Sequence, residues 1–141
     1  VFAMSTQAKE TITFLYAFSP SDTTGNYSRI LANELNNSQS KYNFVYDAKP
    51  GAGGTIAVNE VLNSKPTNTT ILHHSTAFFV RPNIFPKESW DINAFDELFL
   101  HCSAPLVVAG NNVKTWAEVD AKQSVSIGIS GLGVTTHLMA V

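Results

Sequence analysis

At 141 residues the chain suits one domain of ordinary size, and an apolar share of 44% is enough for a real core. Only 14% of its residues are charged and the net charge is −2. With Arg29 and Arg81 as the two arginines there is no basic stripe, which excludes nucleic acid as the expected partner, and no apolar run reaches the length of a membrane span.

Residues 1–10 read as a lead-in. Val1-Phe2-Ala3 places small side chains where a signal peptidase reads, which permits an exported protein. Ile12 to Phe18 is a continuous apolar strand candidate, suited to a covered parallel sheet. Ser19-Pro20-Ser21-Asp22-Thr23-Thr24-Gly25 breaks it and offers several helix N-cap types in succession. Tyr27, Ile30, Leu31 and Leu35 then mark one face of a helix ending in Asn36-Asn37-Ser38.

A second strand, Phe44 to Tyr46, runs into Pro50-Gly51-Ala52-Gly53-Gly54-Thr55, and a helical pattern opens at Ile56. Strand, glycine turn and helix start in that order expose backbone N–H groups beside the positive end of a helix dipole, a place that holds anions. The same residues also read as a tight turn with no ligand. The phosphate-binding loop of nucleotide enzymes needs a lysine after the last glycine, and the dinucleotide fingerprint needs glycine where Ile56 stands, so nucleotide binding is disfavoured.

Ser64-Lys65-Pro66-Thr67-Asn68 stops that helix, and Thr70 to His74 is a third strand running into Ser75-Thr76. Three β-turn-α units predict an α/β fold with a doubly wound, mostly parallel sheet. Ligands in such sheets sit beyond the carboxyl ends of the strands, where Ser19–Thr24, the glycine turn and Ser75-Thr76 all fall. Arg81 to Pro86 reads as a proline-bounded loop and Trp90 to Asp96 as a packed connection. Phe99–Cys102, Leu106–Ala109 and Val125–Ile129 are strand candidates. Thr115 begins a short helix with Glu118 at capping-box spacing. Ser130-Gly131-Leu132-Gly133-Val134-Thr135-Thr136-His137 repeats the strand–glycine turn–helix device, as though the chain were the front part of something longer.

Ser130 with His137 invites a hydrolase or transferase reading, as does Ser75. Against the first, Leu132 stands where a nucleophile elbow needs glycine, and no acidic residue follows to orient the histidine. His73 and His74 are strand neighbours pointing to opposite faces, so they do not share a metal ion readily; with His101 they read as structural, and no metal or cofactor is expected. Cys102, the sole cysteine, has apolar neighbours and reads as a buried, inert thiol.

Four segments carry a resemblance. Lys49-Pro50-Gly51-Ala52-Gly53-Gly54-Thr55-Ile56, Lys65-Pro66 with Thr70-Ile71-Leu72, Val113 to Val119, and Ser130-Gly131-Leu132-Gly133 with His137-Leu138 follow in order. Together they resemble the substrate-binding proteins of tripartite tricarboxylate transporters, the Bug family of periplasmic solute receptors. The resemblance implies a periplasmic-binding-protein-like fold with two α/β domains closing on a small carboxylate, which is passed to integral-membrane transporter subunits. It places the first domain at 11–104 and the start of the second at 105–141, leaving part of the cleft beyond residue 141. By the same resemblance the ligand is lined by Phe18, Ser19, Ser21, Thr23, Thr24, Ser75, Thr76, Ser130, Gly131, Gly133, Thr135 and Thr136, with Gly53 and Gly54 helping to hold the carboxylate. One departure is Asp22 in the first loop, whose charge repels an anion unless it faces away or caps the helix.

Overall fold

The computed structural model describes residues 9–65, 67, 69–88 and 90–141. Val1-Phe2-Ala3 and Pro66 of the expected proline turn lie outside these. The strand met first in the chain, β1 (Glu10–Tyr16), becomes the middle of a three-stranded, all-parallel sheet. β2 (Tyr42–Ala48) and β3 (Thr69–His73) flank it in the order β2-β1-β3, with Glu10 opposite Tyr42 and Ile12 opposite Thr69. The central place follows from the residues: Phe14, Leu15 and Tyr16 are successive and all buried, which requires cover on both faces.

That cover comes from helices alternating with the strands, so the α/β class is as expected. Ser28 of α1 (Thr23–Ser38) bonds the His73 ring, whereas Ala57 of α2 (Thr55–Leu62) packs with Leu15 and Leu72. Successive strand residues face opposite ways, so α1 and α2 lie on opposite faces of the sheet. Val58 of α2, Phe78 of α3 (Ala77–Ile84) and Trp90 form a second buried cluster with Leu72, Ile92 and Phe95. The packed connection expected around Trp90 is therefore present.

Several local expectations are corrected. α1 starts at Thr23 and buries Gly25, Ser28 and Ala32, leaving Tyr27 and Ile30 exposed. The small residue at 25 lets the helix start lie close under the preceding loop: a Cβ on Gly25 would stand 2.6 Å from the Ser19 carbonyl oxygen. Arg81 to Pro86 is not all loop, because α3 runs through Pro82 to Ile84 and Phe85 N–H closes the last turn on the Arg81 carbonyl. Residues 99–102, 106–109 and 125–129 form no strands, and Leu100 and Val107 are each 83% exposed. Apolar, β-branched sequence records only fitness for a sheet; without a neighbour to take the backbone N–H and C=O groups, these segments stay single. α4 (Trp116–Asp120) does form, capped by Thr115, whose Oγ1 accepts from Glu118 N–H.

Two side-chain devices fix the α1 layer. Asn36 accepts from Phe44 N–H at 2.7 Å and donates to its carbonyl at 2.8 Å, imitating a further strand on the β2 edge. Asp22 caps α1, accepting from Gly25 N–H at 2.6 Å and from the Tyr16 hydroxyl at 3.0 Å. Burial, and then the Asp22 carboxylate, push the Tyr16 phenol well up. Losing both contacts through Asp22→Ala is expected to destabilise the fold by about 1–2 kcal/mol, with Asp22→Asn much milder. Thermal denaturation of the two variants measures the difference.

Candidate functional site

The strand ends are zipped together beyond the last ladder bonds. Ala17 N–H donates to the His73 carbonyl at 3.1 Å, and Lys49 N–H to the Tyr16 carbonyl at 2.9 Å. The chain therefore leaves all three strands side by side, at Phe18, at the glycine turn and at His74-Ser75-Thr76.

The glycine turn is built from four consecutive residues with positive φ: Gly51 (132°), Ala52 (47°), Gly53 (61°) and Gly54 (97°). Such a run coils the backbone into a 3₁₀ turn, Ala52–Gly54, leading straight into α2. Two of its donors are spent internally, Gly54 N–H on the Gly51 carbonyl and Thr55 N–H on the Ala52 carbonyl. Gly54 is buried, and the His74 ring lies so close that a Cβ there would stand 2.0 Å from Nε2.

His74 is held from several sides. Ser75 N–H donates to Nδ1 at 3.0 Å, Phe18 meets the ring edge-on at 5.2 Å, and Phe78 and Trp90 lie at 5.6 and 6.2 Å. Nε2 is buried without a hydrogen-bond partner. Burial pushes the imidazole down to about 4, outweighing the upward pull of the Ser75 and Gly54 backbone, so the ring is neutral at neutral pH.

The 130–136 turn comes to the same place. Thr76 and Thr135 share a hydrogen bond through their hydroxyls, at the starts of α3 and of α5 (Thr135–Leu138). Arg81, only 4% exposed, donates through Nε to Thr55 Oγ1 at 2.9 Å and through Nη1 to the Leu132 carbonyl at 2.7 Å. Its Nη2 meets Glu88 Oε2 at 2.7 Å, and the guanidinium lies over the Phe85 ring at 4.4 Å. Three helix starts and a buried, ion-paired guanidinium thus converge beyond the sheet, rimmed by the exposed hydroxyls of Ser75, Thr76 and Ser130.

Of the expected site residues, Phe18, Gly53, Gly54, Thr76, Gly133 and Thr135 are joined directly to this convergence through His74, Arg81 and the threonine pair. Ser75 borders it, its Oγ accepting from Ala77 N–H at 3.3 Å. Ser130 and Thr136 bond each other at 2.8 Å beside it, and a Cβ on Gly131 would meet Val134 alone. The hydrogen bonds of Ser19 and Ser21 stay within their own loop and the start of α1, where Thr23 and Thr24 belong to the first helical turn. Asp22, on the same loop, is taken up by its cap and by Tyr16. An open groove of about 850 Å³ along α2, lined by Thr13, Asp47, Asn59 and Lys65 among others, shares no residue with the expected site.

Among the described residues neither the Ser75 nor the Ser130 hydroxyl is hydrogen-bonded to a histidine. Ser130 Oγ meets Thr136, while His137 Nδ1 accepts from Gly133 N–H at 3.1 Å. The remaining histidines lie on the α1 face: His73 Nδ1 meets Ser28 Oγ, and its ring meets His101 edge-on at 4.2 Å. Burial first, then His101 and His74, push His73 down to about 4. No group of three His, Cys, Asp or Glu side chains among the described residues is arranged to hold a metal ion. Cys102 is exposed, contrary to expectation, because the unpaired 99–102 segment covers only the His101 side; its Sγ lies 3.1 Å from His101 Nε2.

Arg81 went unrecognised in the sequence, where the following proline suggested a loop. Its spacing from Ala77 and Phe78, four and three residues on, is the signal that puts it on the buried face of α3. Comparison with known protein families, characterised proteins and solved structures gives no match. Among the described residues no helix is long and apolar enough to cross a membrane.

Proposed function

We propose that this chain is a periplasmic solute receptor of the tripartite tricarboxylate transporter type, which binds a small carboxylate and delivers it to integral-membrane transporter subunits. In this reading residues 11–104 belong to the first domain of a doubly wound binding protein, and 105–141 begin the second. The observation that carries it is the meeting of the 50–55, 75–76 and 130–135 turns beyond the strand ends. Hydroxyls and backbone N–H groups hold the carboxylate on the rim outside Arg81 and His74, with no cofactor and no bond making. Asp22 does not oppose an anion there, since its charge is turned to the α1 cap. The hydrolase or transferase alternative on Ser130 or Ser75 gains nothing from the contacts of either hydroxyl.

Titration of the isotope-labelled chain with di- and tricarboxylates and aromatic acids tests this. Binding is expected. It should read as saturable amide shifts confined to Gly53, Ser75, Thr76 and residues 130–135. Silence of those amides across the panel, or shifts clustered along the α2 groove instead, would defeat the proposal.

A further inference from the structure

The Arg81 guanidinium reaches three turns and has one protein acceptor on each of its three nitrogens. Thr55 belongs to the 50–55 turn, Glu88 to the turn after α3, and the Leu132 carbonyl to the second glycine turn, 51 residues beyond the arginine. Both glycine turns also lean on the same atom: a Cβ on Gly53 would stand 2.5 Å from Nη1, and one on Gly133 would stand 2.6 Å from it. Glycine is thus needed at both places for closeness to the guanidinium, as well as for positive φ.

From this geometry we infer that Arg81 is a positioning residue: it seats the 130–134 turn on the 50–55 turn and so fixes the spacing of the two walls between which a ligand is held. Its ligand consequence rests on the receptor reading; the seating itself does not. The chemistry requires arginine. A planar fork with donors in fixed directions satisfies a hydroxyl, a carbonyl and a carboxylate at once, whereas the compact ammonium of lysine cannot span the three. Burial makes the arrangement strict, because a guanidinium out of water holds its partners tightly, each bond to a charged group being stronger than a neutral one. Only 4% exposed, Arg81 acts on the ligand through the turns it holds and the hydroxyls around it.

The test is amide hydrogen exchange on the whole chain, comparing wild type with Arg81→Lys. Exchange across residues 131–134 is expected to quicken by about tenfold or more, while the amides of β1 and β3 keep their protection. Unchanged exchange at 131–134 overturns the inference, and so does quickening spread equally over the sheet, which marks ordinary loss of core stability. Should Arg81→Lys fail to fold, Gly133→Ala strikes the same seat from the other side, its Cβ standing 2.4 Å from Phe85 Cε2 and 2.6 Å from Arg81 Nη1. The same local quickening is expected, and its absence again overturns the inference. Carboxylate titration of the same variants separates the two ideas. If the wild type binds, the variants should bind about tenfold more weakly. If it does not, the receptor reading fails while the exchange result still judges Arg81.

Discussion

Acidification from pH 7.5 to about 4.5 is expected to remove about 5 kcal/mol of stability, a large part of what a chain of this size has. His73 and His74 are both pushed down to about 4 by burial, whereas a histidine in an unfolded chain titrates near 6.5. Above about pH 6.5 both states carry neutral rings, and the contribution to stability is complete. Between about 6.5 and 4 the unfolded chain takes up protons that the native chain refuses, so stability falls as pH falls and levels off only below about 4. At pH 4.5 the difference is about 2.5 kcal/mol for each ring. Urea midpoints measured across this range should trace the decline, and His73→Gln should remove about half of it. A flat profile would mean that one or both rings are wet, contradicting their packing against Ser28 and Gly54.

Gly54→Ala is the substitution expected to cost most at the site, about 3–4 kcal/mol. A φ of 97° is unfavourable for any residue with a Cβ. The new carbon would also stand 2.0 Å from His74 Nε2 in a ring already packed by Phe18 and Phe78. Gly128→Ala provides the contrast: nothing lies within 4 Å of its Cβ position, and a change within about 0.5 kcal/mol is expected. Thermal unfolding of the two alanine variants side by side reads the effect. Equal losses would show that the close approach of His74 to Gly54 is wrong.

The parallel character of the sheet was legible because Ile12–Phe18 and Phe44–Tyr46 each end in turn chemistry followed by a helical period, and Thr70–His74 ends in Ser75-Thr76. The α1 face differs because hydrophobicity is not its guide to burial: the close Ser19–Pro20 backbone selects Gly25, and the His73 ring takes Ser28. The unpaired segments after residue 98 look like strands by composition, yet pairing depends on a neighbour that no local pattern reveals. At the site, glycine and hydroxyl clusters announced the turns, and Asp22 among N-cap residues announced its cap. Arg81 was hidden because its partners lie 26 and 51 residues away, and no local pattern links an arginine to a distant threonine and carbonyl.

The place of β1 between its two partners has a kinetic consequence. Glu10 waits for Tyr42 and Ile12 for Thr69, so neither pairing can grow from a hairpin and each must first close a long loop around a helix. Such non-local closure puts folding in the slower range. Until it finishes, the most apolar strand of the sheet stands with both edges unsatisfied, and neighbouring chains compete with β2 and β3 for them.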